Sequence, residues 1–338
     1  MTTIKTIRVP AEEMQQVFET ALLQQGFTKE KAATCAKIFT ENSIDGVYTH
    51  GVNRFPRFIE YIQRGYVDKD AVATLRHEFG GIQQWNGNLG PGILNALQAT
   101  DNAMALAQQF GIGCVALSNT NHWMRGGTYG WKAAKAGYVF IGWTNTTALM
   151  PAWGAVDAKL GNNPLVIAMP YNNEAIVLDM AMSQYSYGAM EKYVAQQERL
   201  PVNGGFDETG ALTNDPAAIL RSKRSLPIGY WKGAGLSLLL DLLAAILSGG
   251  LAVCDIKEQQ AEQALSQVFI AIDIAKLGNA SAITQTVEHI IKDYKNSIPA
   301  TENDTITWPG ERVLAARKKN LAEGIPVMEN VWQRILQL

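Results

Sequence analysis

Phe110-Gly111-Ile112-Gly113-Cys114-Val115-Ala116-Leu117 is the stretch on which the fold turns. It contains Gly-x-Gly-x-x-Ala, close to the phosphate-binding turn of doubly wound dinucleotide folds. That turn must follow a strand and open a helix, because the pyrophosphate rests on free N–H groups at a helix N-terminus. Here the order is reversed. A helical pattern opening at Gly90-Pro91-Gly92 runs into Phe110, and Ile112–Leu117 is short, apolar and β-branched, as a buried strand is. Gly111 therefore reads as a helix C-cap and Gly113 as the start of a strand. The Rossmann reading fails on context, and no Walker A sequence exists.

On the N-terminal side, residues 11–25 and 28–45 have helical periodicity, the second with Thr28 as its N-cap. A third helix is predicted from about 53 to 64, stopping at Gly65. Past Asp70 the pattern changes to short apolar runs: Thr74–Phe79, Ile82–Trp85, Val139–Thr144, Leu165–Met169, Ala175–Leu178 and Phe269–Ile274. Helical patterns at about 128–136, 184–197 and 233–248 separate them, and the tail returns to helices at 282–295, 310–323 and 328–337. An α/β chain is predicted, with one helical domain formed by both chain ends (1–72 plus 282–338). A sheet-containing domain, 73–281, lies between them.

Composition excludes several classes. At 338 residues the chain can bury a large core. Its 47% hydrophobic and 18% charged residues are globular proportions. The net charge of −2 provides no footprint for nucleic acid. Cys35, Cys114 and Cys254 are odd in number and lack CxxC spacing, which argues for a reducing compartment and against a disulfide framework. The four histidines lack the spacing of a zinc site, and there is no GxSxG elbow. The N-terminal Met1-Thr2-Thr3-Ile4-Lys5 has no apolar signal core, and Leu236–Leu247 is broken by Asp241 and short for a bilayer. A soluble cytoplasmic chain is expected.

Chemistry concentrates in Tyr48-Thr49-His50-Gly51-Val52-Asn53-Arg54-Phe55. If a helix covers 50–62, His50 and Arg54 share a face one turn apart. Such a pair can protonate one part of a small acid and grip its carboxylate, although a histidine at a helix start also serves as a cap or packing residue. Asn121-His122-Trp123-Met124-Arg125-Gly126-Gly127 follows a strand, where ligands bind in α/β sheets; Arg125 could meet a phosphate, or the segment could be a plain glycine loop. Gly161-Asn162-Asn163-Pro164 precedes a strand. Asp179 ends one, suited to a ribose hydroxyl, to a histidine, or to capping the next helix. Gly229-Tyr230-Trp231-Lys232-Gly233 and Trp308-Pro309-Gly310-Glu311-Arg312 are further glycine-bearing helix starts, where free amides favour an anion. Together they suit a dinucleotide held by separated segments. His77 and His289 read as ordinary surface residues.

These segments together resemble the malate/L-lactate dehydrogenase family that lacks a Rossmann fold, nearly end to end. The resemblance implies a non-Rossmann nicotinamide-binding fold, with a mixed sheet flanked by helices, and a homodimer in which each site is completed by the partner chain. It implies reversible hydride transfer between NAD(P)H and a 2-keto acid. By position, His50 matches the proton donor, with Thr49 before it in place of a common Ser, and Arg54 matches the carboxylate clamp. Asn162 stands where many members have a Thr that contacts substrate, and His122 is expected on the substrate as well. The dinucleotide segments would be His122, Trp123, Met124, Arg125 and Gly126; Ala175, Ile176, Val177, Leu178, Asp179, Met180 and Ala181; Trp231 and Lys232; and Gly310, Glu311 and Arg312. NADH is the expected cofactor, with NADPH left open because no acid marks the adenosine ribose; no metal is expected.

The substrate reading favours a 2-keto sugar acid, since Asn53, Asn121 and Asn162 could meet several hydroxyl or keto groups. Malate, lactate, ureidoglycolate and a cyclic imino acid are the alternatives within the family, and a non-catalytic ligand-binding protein is the alternative outside it. Ala189 follows Gly188 where some imine reductases of this family have Asp, which speaks against an imine. His50 is expected near its ordinary pKa.

Overall fold

The computed structural model of the protein describes residues 5–338. Residues 1–4 of the N-terminal run read above lie outside the described residues. The chain opens with strand β1 (Thr6–Val9) and helices α1 (Ala11–Gln24), α2 (Lys29–Ile44) and α3 (Phe55–Gln63). The middle runs β2 (Thr74–Phe79), β3 (Ile82–Asn86), α4 (Gly92–Phe110), β4 (Ile112–Thr120), α5 (Gly127–Lys135) and β5 (Tyr138–Thr144). A small pair, β6 (Ala148–Pro151) and β7 (Ala158–Gly161), precedes β8 (Leu165–Tyr171) and β9 (Glu174–Met180). Then come α6 (Tyr187–Gln196), β10 (Gly205–Phe206), β11 (Leu212–Thr213), α7 (Pro216–Ser222), α8 (Trp231–Ser248) and α9 (Val253–Ile256). Strand β12 (Leu265–Asp273) and helices α10 (Ala280–Lys295) and α11 (Glu311–Glu323) lead to β13 (Ile325–Met328) and α12 (Glu329–Ile335).

One seven-stranded sheet, in the order β2-β3-β4-β12-β5-β8-β9, forms the centre. Only β3 and β4 run parallel; every other neighbouring pair is antiparallel. Helices α4 and α5 pack on one face and α8 on the other. This is a mixed sheet flanked by helices, without the parallel βαβ succession of a Rossmann fold. Gly111 caps α4 in the left-handed region (φ 85°). At Gly113 a side chain would lie 2.2 Å from the Ala103 carbonyl, so the glycine lets α4 approach β4 and does not face a phosphate.

The segment Thr6–Val9, read as the approach to the first helix, is a strand paired antiparallel with β13, Thr6 opposite Met328. That pairing ties the chain ends together. The terminal core stacks Phe18 on Phe55 (ring centroids 4.1 Å) and sets Phe39 edge-on to Phe55 at 5.1 Å. Trp332 and Ile335 of α12 join it. Such aromatic pairs add about 0.5–1.5 kcal/mol each beyond their area. They anchor the start of α3, next to Arg54. Within the proposed helical domain the tail divides: β13 and α12 join α1–α3, whereas α11 sends Val313 and Leu314 to the sheet core.

Candidate active site

The segment around His50 is not one helix. Tyr48–His50 form a single 3₁₀ turn, Gly51 leaves it, and α3 begins only at Phe55. The predicted helical face shared by His50 and Arg54 is therefore corrected. A clamp on the end of α2 replaces it. Asn42 donates to the His50 carbonyl at 3.0 Å and accepts from Thr128 Oγ1 at 2.8 Å. Ser43 Oγ accepts from Val52 N at 2.9 Å, and a side chain at Gly51 would lie 2.2 Å from that oxygen. A helix cannot continue through a turn pressed this closely onto its neighbour.

His50 stacks on His122 with centroids 5.6 Å apart and planes 21° apart. Thr49 Oγ1 lies 3.0 Å from His50 Nδ1, which leaves Nε2 for a ligand. Met124 N donates to His122 Nδ1 at 3.0 Å, so a neutral His122 carries its proton on Nε2. Arg54, Arg57, Tyr61 and His122 line one small recess. Burial lowers the His50 pKa to about 4, and the charges of Arg54 and Arg125 add to the effect. His122 is pushed well below its ordinary value, first by burial and then by Arg54 and its neighbours. The expectation of an ordinary His50 pKa is corrected: without ligand the imidazole is neutral at pH 7. Arg54 Nη2 lies 3.5 Å from Glu262 Oε2, a single long contact that leaves most of the guanidinium fork uncommitted.

Several side chains expected on the cofactor are occupied elsewhere. The Arg125 guanidinium is buried and ion-paired with Asp45 at 2.5 Å, and Arg317 holds the same carboxylate at 2.7 and 3.0 Å, so Arg125 does not meet a phosphate. Trp123 is 1% exposed and packs against Tyr129 and Phe269. Met124 lies in the core of the terminal helices, and a side chain at Gly126 would strike Trp123 and Val166. Asn121 spends its amide N–H groups on the carbonyls of Tyr66, Leu89 and Gly90. It is not a substrate donor. Asn162 accepts from Ser183 Oγ at 2.7 Å and Ser183 N at 3.1 Å, which ties its carbonyl to the chain leaving β9.

The second wall expected of the site, the one read as holding the dinucleotide, is more open. Strand alternation divides 175–181: Ala175 and Val177 enter the sheet core, Met180 packs toward α8, and Ile176 and Leu178 stay half-buried. Asp179 Oδ2 accepts from Gly127 N at 2.7 Å, so it caps α5 and not the helix that follows it. Surrounding protein raises the Asp179 carboxyl above its ordinary value, against the pull of Arg125 and the Gly127 N–H. Pro309 accepts from Val177 N at 2.9 Å, which docks the Gly310 turn (φ 99°) on the edge of β9. Glu311 is held by Lys295 at 2.8 and 3.0 Å, and so is not free for a ligand, whereas Arg312 is exposed. Trp231 is 63% exposed, with the Lys232 ammonium 6.0 Å from its ring centroid. Residues 226–228 run beside 182–184, which sets the start of α8 just past the end of β9. An exposed indole, an ammonium, an exposed guanidinium and a glycine turn docked on a strand edge fit a dinucleotide.

Sequence reasoning missed Asn42, Ser43, Asp45, Glu262 and Arg317. Asp45, Glu262 and Arg317 act through contacts distant in sequence, Glu262 being 208 residues from Arg54, whereas Asn42 and Ser43 reach His50 and Val52 only 8 and 9 residues on, through a turn that no periodicity marks. No local pattern marks such a residue.

The site and the fold together define a class. Residues 9–336 match the model of the malate/L-lactate dehydrogenase family, and the chain belongs to that family. It is a nicotinamide-dependent oxidoreductase acting on CH–OH groups. Among its relatives, 2,3-diketo-L-gulonate reductase of Pasteurella multocida (strain Pm70) is 42% identical over 98% of this chain and 100% of that protein. A protein of the same name from Escherichia coli O6:K15:H31 is 41% identical over the same shares. Malate dehydrogenase from Entamoeba histolytica superposes with a TM-score of 0.93 at 23% identity, covering 98% of this chain and 97% of that one. Sulfolactate dehydrogenase from Methanocaldococcus jannaschii superposes at 0.87 with 26% identity over 97% and 95%.

Proposed function

We propose that the protein reduces 2,3-diketo-L-gulonate to 3-dehydro-L-gulonate with NADH, His50 giving the proton and Arg54 holding the carboxylate. The observation that carries this reading is the convergence of two distant segments: His50 stacks on His122, and His122 and Arg54 line one recess. A bound nicotinamide supplies the hydride that reduces the C2 carbonyl. Alkoxide charge developing on that oxygen needs a proton, and His50 Nε2 is the free nitrogen of a ring held by Thr49 on a backbone held by Asn42. A ligand carboxylate that neutralises Arg54 removes one of the charges that lower the His50 pKa and so moves it upward, while burial, the larger cause, still holds it down. The guanidinium fork fixes which carbonyl faces the hydride. His122, with its proton on Nε2, is placed to donate to a second oxygen of the substrate.

A side chain at Gly188 would lie 2.8 Å from Thr49, which brings the start of α6 close to the His50 turn. Ala189, the next residue, carries no carboxylate where some imine reductases of the family have Asp, which supports a keto acid over a cyclic imino acid. Trp231, Lys232, Arg312, Gly310 and the edge of β9 are the groups proposed to hold the dinucleotide. We further propose a cytoplasmic homodimer. Leu236, Leu239, Leu243 and Ile246 form an exposed stripe along α8, with Leu238 and Leu242 beside it, and a second copy would cover this face. Helix α8 is longer than the apolar run read from sequence, and it is long and apolar enough to cross a membrane by composition. Its Asp241 instead caps Val253 N and binds Asn145 across the sheet, which supports a packing helix.

The test is consumption of NADH with a panel of keto acids. The kcat/KM for 2,3-diketo-L-gulonate should exceed those for pyruvate and oxaloacetate by at least about tenfold, roughly 1.4 kcal/mol of transition-state preference. Equal or better turnover of oxaloacetate would move the enzyme to the malate activity of its family.

A further inference from the structure

Glu262 lies in the segment between α9 and β12 and reaches the proposed carboxylate clamp. Both side chains of the Arg54–Glu262 pair are largely out of water, at 20% and 17% exposure. Glu262 Oε2 takes Arg54 Nη2 at 3.5 Å, and Oε1 takes Thr147 N at 3.3 Å. Both contacts are long, and a carboxylate offers about four acceptor sites. Glu262 therefore keeps acceptor capacity beside the guanidinium that the substrate must use.

We propose that Glu262 is a specificity-determining residue: it disfavours keto acids with a second negative charge and accepts hydrogen bonds from hydroxyl-bearing ones. This rests on the reading of the site given above. Arg54 brings one positive charge and Glu262 one negative. A bound monocarboxylate sits on the rest of the guanidinium fork, so two carboxylates share one cation. A dicarboxylate adds a third negative charge within a few ångströms, where water screens weakly and Coulomb energies are steep. A polyol tail adds no charge, and its hydroxyls donate to the open acceptor sites. Arg57 shares the recess and acts on Arg54 and His122, so it offsets part of the extra charge, but less than a buried cation would because it is exposed and partly screened by salt.

Pyruvate and oxaloacetate differ by one distal carboxylate, which makes them the probe. Glu262→Gln keeps the size and an acceptor for Thr147 N while removing the charge. It should raise the kcat/KM ratio of oxaloacetate to pyruvate at least about tenfold. Turnover of 2,3-diketo-L-gulonate should change only a few-fold, because the amide oxygen still accepts from a hydroxyl. Glu262→Ala is read in the same way should the glutamine variant not fold, with its melting temperature measured alongside. If all three acids shift by a common factor, Glu262 merely braces Arg54 and the proposal is overturned. An unchanged ratio overturns it as well. A wild-type protein that reduces none of the three acids removes the reading of the site, whereas an active wild type with an unaltered ratio removes only the role of Glu262.

Discussion

The two walls expected to form the site are built on opposite plans. Residues 42–58 are clamped by bonds within the chain: Asn42 and Ser43 hold the turn at Gly51, and Asp45 locks α2 to Arg125 and Arg317. The wall of β9, the α8 start and the Gly310 turn leaves Trp231, Lys232 and Arg312 exposed, and α8 carries an uncovered apolar face. Proton transfer needs a donor held to a fraction of an ångström, so it belongs on the rigid wall. A long cofactor needs many modest contacts and a way in and out, which suits the open one.

The largest effect should fall on the rigid wall. His50→Ala is expected to lower kcat by about 10²- to 10⁴-fold, the usual worth of a positioned acid, with little change in NADH affinity; near-normal kcat would erase the division of labour. Arg54→Lys keeps the charge and loses the fork, so kcat/KM for keto acids should drop about tenfold or more. A silent Arg54→Lys would place the carboxylate elsewhere.

Gly51→Ala tests the clamp itself. A methyl 2.2 Å from Ser43 Oγ forces the turn off α2, at about 1–3 kcal/mol of folding stability in a melting experiment. A normal melting temperature would mean that the turn has slack. The smallest effect is expected on the open wall, where Lys232→Ala should weaken NADH binding a few-fold, since one exposed cation contributes little alone. Gly113→Ala, by contrast, should cost stability and leave the NADH dissociation constant unchanged. The reverse pattern would return cofactor binding to the Gly111–Ala116 segment.

The sequence made the open wall partly legible and the rigid one less so. Glycine-bearing helix starts are local patterns, and Gly310 and Trp231 stand where those patterns place them. Yet a run such as 175–181 reads as continuous, whereas a strand alternates, and Ala175 and Val177 turn inward. His50 and Arg54 were readable as a pair because they are close in sequence. The 3₁₀ turn between them was not, because the Asn42 and Ser43 contacts that impose it are tertiary. Arg125 looked free for the same reason, since its partner Asp45 is 80 residues away. The strands of the sheet were legible from short apolar runs, whereas β1 and β13, four residues each, are too short for a period-two pattern to stand out.

The placement of the proton donor on the rigid wall has one most direct test: the pH dependence of kcat/KM for keto acid reduction at saturating NADH. That quantity reports the donor before the keto acid arrives. With the His50 pKa near 4, each unit of pH above it leaves a tenth as much imidazolium. Log kcat/KM should fall by about one per pH unit between about pH 5 and pH 8 in the wild type, and His50→Ala should lose that slope. A flat wild-type profile, or the same slope in both proteins, would show that the proton comes from another group.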